Sequence, residues 1–283
     1  MGFTINTLSP VLGAEVVGLD LSSPLSDAEF QEINQVWLDH NGVVVFRGQV
    51  LTPEEHIAFS RRLGDLEEHV VGQFLLDGYP QIYRVSTKVD EDGKPMGNPE
   101  SGRYWHSDLS YVKPPAKASL LYALEMPPSG GDTMVASMNA AYESLSLTMQ
   151  QMLDGLTAVH NFDQVNKFFA TSGPNQSQTA LTPPVEHPVV RTHPETGRKA
   201  LFVNPGFTTH IVELARSESD AVLEFLFAHI TKPEFIYRHR WQVNDLLMWD
   251  NRCTVHHAVH DFYGTGHRHL HRTTVLGESA VAH

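Results

Sequence analysis

Asp245-Leu246-Leu247-Met248-Trp249, followed by Asp250-Asn251-Arg252-Cys253-Thr254-Val255-His256, is the stretch whose reading decides the fold. Its opening residues form a short apolar run suited to a buried strand, and the pattern ends on a histidine that sits at a strand end. Working outward, similar strand-like pieces at Val189-Val190, Ala200-Val203 and Phe235-Arg240 alternate with turns, and one helix from Ser217 to Ile230 interrupts them. Many short strands with a few peripheral helices predict a mainly β fold with a double-stranded β-helix, or jelly-roll, core.

The N-terminal third adds helices. Ser26-Asp27-Ala28-Glu29 reads as a capping box with Phe30, Ile33 and Trp37 at helical spacing behind it, which predicts an amphipathic helix over 26–40. Asn41-Gly42 ends that helix, Val43-Val44-Val45-Phe46 suits a buried strand, and Thr52-Pro53-Glu54-Glu55 opens a second helix reaching about Leu63. Further strands are expected over 118–124 and from Asp132 to Val135, the latter after a Pro127-Pro128-Ser129-Gly130-Gly131 turn, and a helix from Ser137 to Leu153. Residues 161–184 show no sustained period and read as a long loop, a candidate lid. With no internal repeat, linker or low-complexity tract, residues 1–283 are expected to form one domain.

Composition narrows the function. A net charge of −13 makes nucleic acid a poor partner, because phosphate backbones are held by clustered Lys and Arg. The N-terminus lacks a basic segment followed by an apolar core, and no apolar run approaches the roughly 20 residues needed to span a bilayer, so a cytoplasmic protein away from membranes is expected. The lone Cys253 excludes a disulfide framework and a cysteine-based zinc cluster. Any metal must therefore be held by histidine and carboxylate.

His106-Ser107-Asp108 offers such a pair, since side chains at i and i+2 of a strand share a face. Among 17 histidines a triplet of this kind arises about once by chance, so it needs a third ligand. His256 is the candidate, with His257 expected to point to the opposite face; two histidines and one carboxylate on one side of a metal leave positions open for a co-substrate and dioxygen. Arg268 and Arg272 stand in a basic cluster of the sort that usually guards an edge strand, yet their spacing aims both the same way, into one cavity. Cys253 is expected as a small buried hydrophobe, and Trp105 and Trp249 as core residues behind the ligands.

Taken together, Leu12-Gly13-Ala14-Glu15, Phe46-Arg47-Gly48-Gln49, Trp105-His106-Ser107-Asp108, Gly130-Gly131-Asp132-Thr133, the D-N-R-x-T-x-H pattern and the C-terminal arginines resemble the taurine/2-oxoglutarate dioxygenase family, TauD/TfdA, over nearly the whole chain. The resemblance implies iron ligands His106, Asp108 and His256, and the co-substrates 2-oxoglutarate and O2, with Thr133 and Arg268 on the distal carboxylate of 2-oxoglutarate. It places Arg272 on the anionic group of a small substrate and His69 at a second substrate contact; from the residues themselves, Phe207 in Gly206-Phe207-Thr208-Thr209 is a candidate lining of the pocket. The implied reaction couples oxidative decarboxylation of 2-oxoglutarate, to succinate and CO2, with hydroxylation of that substrate by an enzyme that is a dimer or tetramer.

Segments His187–Ile211 and Ile230–Phe235 look most like the taurine enzymes, so the resemblance points to a sulfonate such as taurine. Two positions depart from that pattern: Gly102 stands where those enzymes carry asparagine and Gly72 where they carry tyrosine, which implies a roomier pocket. Alkyl sulfates and aryloxyalkanoates are the alternative substrates. From a different class, the rival is a non-catalytic jelly-roll module in which the same three ligands hold a structural ion, though such a module has no use for the Thr133 and Arg268 pair.

Overall fold

The computed structural model describes residues 2–169, 176–262, 264–278 and 280. Its larger sheet runs in the order Thr4–Thr7, Ala14–Val17, Val43–Phe46, Leu246–Asp250, Ala116–Glu125, His269–Leu276, Tyr79–Ser86, Leu75–Leu76. Every pairing in it is antiparallel except that between Ala14–Val17 and Val43–Phe46. A smaller sheet orders Ile236–His239, Thr133–Ser137 and Thr254–Ala258, and another orders Thr208–Ile211, Thr157–His160 and Val185–Pro188. Val190–Thr192 pairs with Lys199–Leu201.

Period-two alternation divides the apolar residues between the faces of the larger sheet. Val44, Phe46, Leu120, Leu246 and Met248 pack on Phe30, Ile33 and Trp37 of helix Asp27–Asp39 and on Phe59 of helix Pro53–Arg61. Val43, Val45, Leu121, Leu247, Trp249 and Leu270 turn the other way and meet Val135 of the smaller sheet and Phe207. The smaller sheet buries its own far face, Ala136 and Val255, under helix Met138–Glu143 and helix Arg216–Ile230. Each such side chain contributes about 1.5–3 kcal/mol of burial, so strand alternation fixes which residues are left to face the space between the sheets.

Both N-terminal helices begin at the expected capping boxes, Ser26 with Glu29 and Thr52 with Glu55. The expected helix from Ser137 to Leu153 is two, Met138–Glu143 and Leu147–Leu153, because Ser137 and Ser146 each accept a backbone N–H three residues on and start separate helices. The expected loop at 161–184 contains a 3-10 helix, Phe162–Phe168, and a short helix, Gln176–Ala180, while 170–175 lie outside the described residues. No helix of the described residues is long and apolar enough to cross a membrane.

Candidate metal centre

His106 and His256 lie directly opposite one another. Each donates its backbone N–H to the other's carbonyl, at 3.1 Å and 2.8 Å, and this isolated antiparallel bridge puts both side chains on one face with ring centroids 4.0 Å apart. His256 belongs to strand Thr254–Ala258, and His257 points away toward the Trp105 ring, as expected. Asp108 arrives differently from the expected i, i+2 strand geometry. The chain leaves the bridge in a turn, and Leu109 adopts φ 54°, a left-handed conformation uncommon for a bulky residue. Asp108 Oδ1 then sits 3.6 Å from His106 Nε2, and Oδ2 lies 3.7 Å from His256 Nε2.

The His106 tautomer follows from its partner. Nδ1 meets the Tyr104 carbonyl at 2.8 Å, and a carbonyl only accepts, so Nδ1 carries the proton and Nε2 presents a lone pair. His256 rests on the Trp249 ring, with centroids 4.5 Å apart, and burial followed by His106 holds its pKa well below the ordinary value, which keeps it neutral. Burial alone would raise the Asp108 carboxyl, but Arg272, then His256 and His106, outweigh it and hold the group well below the usual carboxylate range. Ligand atoms of all three residues lie within 4.8 Å of one another. Two imidazole nitrogens and one carboxylate so grouped fit a divalent iron ion.

Asp108 is tied down by Arg272, which the sequence singled out, and by Ser119 and Asn251, to which it gave no role. Ser119 Oγ donates to its Oδ2 at 2.6 Å and Arg272 Nη1 donates to its Oδ1 at 2.7 Å. Asn251 accepts the Asp108 backbone N–H at 3.1 Å and the Trp249 indole N–H at 3.1 Å, and donates to Ser119 at 2.9 Å. Asn251 was visible only as part of the D-N-R pattern, and nothing in the sequence marked Ser119.

Two cavities flank the three residues. One lies between the sheets against His106 and His256 and is bordered by Thr133, Arg268, Gly102 and Arg272. There Arg268 donates through Nε to the Gly131 carbonyl at 2.9 Å and through Nη2 to Thr133 Oγ1 at 3.3 Å. Gly131 has φ 73°, and a Cβ on it would meet Arg268 Cδ at 3.3 Å, so glycine allows the arginine its close approach. Burial lowers the Arg268 pKa to about 10, with Asp132 opposing, and the guanidinium stays charged near neutrality. Arg268 precedes strand His269–Leu276 by one residue, yet it shares the inward face of Leu270 and Arg272 as expected.

The second cavity gives the centre of a water molecule about 50 Å3 and is bordered by His106, Asp108, Arg272, His69 and Phe207. Its remaining walls are largely aromatic, from Tyr104, Tyr111, Phe162 and Phe169. His69 Nδ1 accepts the Val71 N–H at 3.0 Å, so its Nε2 carries the proton, and burial followed by Arg272 lowers its pKa to about 3, leaving a neutral donor. Tyr83 lies tilted against His69, with centroids 4.6 Å apart, and 5.2 Å below the Arg272 guanidinium. Gly102, at φ 76° with 3.5 Å from the position of an added Cβ to His106 Cε1, borders the first cavity, and Gly72 begins a 3-10 helix; neither borders this second cavity, so the roomier substrate pocket expected from the two glycines does not come from them.

A second cluster, His193, Asp250 and Cys253, is also close enough to bind an ion. Its carboxylate is already taken by Arg252, through Nε at 2.8 Å and Nη2 at 2.7 Å, and by His193 Nε2 at 3.0 Å. Burial pushes the Cys253 thiol up, so it packs as the small buried hydrophobe expected.

The family model for "Taurine catabolism dioxygenase TauD, TfdA family" matches residues 4–274. The alpha-ketoglutarate-dependent 2,4-dichlorophenoxyacetate dioxygenase of Cupriavidus pinatubonensis is 37% identical, with 99% of this chain and 100% of that protein covered. A taurine dioxygenase from Burkholderia xenovorans has a similar crystal structure, with a TM-score of 0.85 at 36% identity over 100% of this chain and 92% of that one. AAD-2, solved with Mn(II) and N-oxalylglycine, gives a TM-score of 0.83 at 31% identity, covering 99% of each chain.

Proposed function

This chain belongs to the taurine catabolism dioxygenase TauD, TfdA family, and from that premise we propose that it hydroxylates a small anionic substrate with an apolar, aryl-bearing body. It is an oxidoreductase that uses Fe(II), 2-oxoglutarate and O2. Together these supply oxidative decarboxylation to succinate and CO2 and the hydroxylation itself, while the chain's own residues bind, orient and exclude water. In this reading His106, Asp108 and His256 hold the iron, and Thr133 with Arg268 grips the distal carboxylate of 2-oxoglutarate. Arg272 and the neutral His69 donate to the substrate's anionic head, and Phe207, Tyr111 and Phe162 wall its body. The two sheets enclosing the site support a jelly-roll core.

The composition of the substrate cavity carries the choice. Among the described residues that line it, Asp108 alone bears a carboxylate, and Asp108 is committed to the metal side and to Arg272. An ammonium group such as taurine's would lie unpaired among aromatic rings, at a desolvation cost of several kcal/mol. Homologues act on aryloxyalkanoates, sulfonates and alkyl sulfates. The aromatic walls favour the first of these over the sulfonate suggested by the sequence, and sulfonates or sulfate esters with an apolar tail form the second reading. Succinate release across aryloxyacetates, alkyl sulfates and taurine tests this. Preference for the aryl acids is expected, and fastest turnover of taurine overturns it.

A further inference from the structure

We propose that Trp241 is a positioning residue for 2-oxoglutarate, acting by fixing the direction in which the Thr133 hydroxyl donates its hydrogen bond. The inference rests on the reading that Thr133 and Arg268 hold the distal carboxylate.

The Trp241 indole Nε1–H donates to Thr133 Oγ1 at 3.0 Å, and Arg268 Nη2 donates to the same oxygen at 3.3 Å. An indole nitrogen and a guanidinium can only donate, so both contacts occupy lone pairs of the hydroxyl. That oxygen has two lone pairs and one proton, and its proton must leave in the remaining direction. Thr133 and Arg268 are both buried and border the cavity beside His256, which is where a donor for an incoming carboxylate is needed. The β-branched side chain is stiff at χ1, so the oxygen itself is held and only the proton's direction is left to choose.

Trp241 reaches Thr133 through the register of the smaller sheet. His239 pairs with Thr133, and Trp241 follows two residues later with its ring edge-on to His239, at 4.4 Å between centroids and 89° between planes. Without the indole donor a lone pair is freed, and the hydroxyl can turn to donate elsewhere. It then accepts where the carboxylate requires a donor, and two acceptors face one another. The effect belongs to the distal carboxylate alone, because the keto-acid end of the co-substrate lies at the metal.

Calorimetric titration of 2-oxoglutarate into the Fe(II)-loaded protein without oxygen measures this, with pyruvate as the ligand that lacks the distal carboxylate. Trp241→Phe is expected to weaken 2-oxoglutarate roughly three- to tenfold, the worth of one neutral hydrogen bond, and to leave pyruvate unchanged. Trp241→His keeps an N–H donor and is expected to recover part of the loss. Trp241→Phe combined with Thr133→Val should bind no worse than Thr133→Val alone, since both remove one interaction. Unchanged 2-oxoglutarate affinity in Trp241→Phe, or equal weakening of pyruvate, overturns the proposal while Thr133→Val and Arg268→Ala still show their losses. If those two variants bind 2-oxoglutarate normally, it is the placement of the carboxylate that fails, and the proposal falls with it.

Discussion

Arg272 Nη1 donates to Asp108 Oδ1 at 2.7 Å across 164 residues of sequence, and both side chains are more than nine-tenths buried. The arginine that faces the substrate cavity is therefore also the counter-charge of a metal ligand. Removing it leaves a buried carboxylate without its cation, a loss on the order of 3–5 kcal/mol. Arg272→Ala should thus lower the urea midpoint of the metal-free protein markedly, and Fe(II) or Mn(II) should recover much of the difference by supplying positive charge to Asp108. An equal deficit with and without metal would detach Arg272 from the ligand's electrostatics.

The two arginines should also separate by ligand. Arg268→Ala is expected to weaken 2-oxoglutarate at least tenfold on the order of a lost charge-assisted hydrogen bond, with little change in substrate affinity. Arg272→Ala should do the reverse. Direct binding measurements for each ligand check this, and matching losses from both variants would mean the assignment of the two residues is mistaken.

Ser119 and Asn251 hold Asp108 without offering an atom to the metal. Ser119 Oγ reaches Oδ2 at 2.6 Å, and Asn251 bonds to both Ser119 and the Asp108 backbone. Outer partners of this kind are typically worth 10–100-fold in metal affinity, so Ser119→Ala and Asn251→Ala should each weaken Fe(II) or Mn(II) by roughly that range. Asp108→Ala should abolish metal-dependent succinate release altogether. Metal dialysis distinguishes the cases, and wild-type affinity in both outer variants would show that the network serves folding alone.

The contrast between Asp108 and its supports shows what a sequence can carry. His106-Ser107-Asp108 and the D-N-R-x-T-x-H pattern ending on His256 were each legible as short motifs, and it was their joint occurrence that marked the three residues as one candidate site. The strand around His256 was read less well: the sequence put His256 at a strand end, whereas a turn at 251–253 starts a separate strand, Thr254–Ala258, with His256 in its middle. Trp241 to Thr133 spans 108 positions and Asn251 to Ser119 spans 132, and contacts of that range depend on sheet register, which no window of sequence reports. The strand geometry assigned to Asp108 failed for a smaller reason: His106 makes only an isolated bridge, and residues 108–110 are already a turn. Period-two reasoning needs a strand on both sides of Ser107, and the ladder does not extend past His106. The split at Ser146 was legible in principle, since its N-cap chemistry was in the sequence, but apolar periodicity on both sides masked it.

Acid should unfold this protein through its buried histidines. Burial lowers the pKa of His56 to about 4, and burial followed by His187 lowers that of His160 to about 3. His56 lies against Thr273 and the Tyr122 ring, near His271, and His160 lies among Ser110, Thr208, His187 and Phe202. None of these neighbours offers a carboxylate to welcome a proton. The unfolded chain takes up protons near pH 6.5 while the folded one resists to about pH 4, so stability is full above 6.5 and falls as pH drops through that window. At about 1.4 kcal/mol per pH unit and per group, His56 alone withdraws about 3 kcal/mol by pH 4. Urea midpoints at pH 7.5, 6 and 5 should decline with increasing steepness, and His56→Gln should flatten the decline by about one proton. A midpoint independent of pH over that range would mean that these rings are protonated as readily inside the fold as outside it.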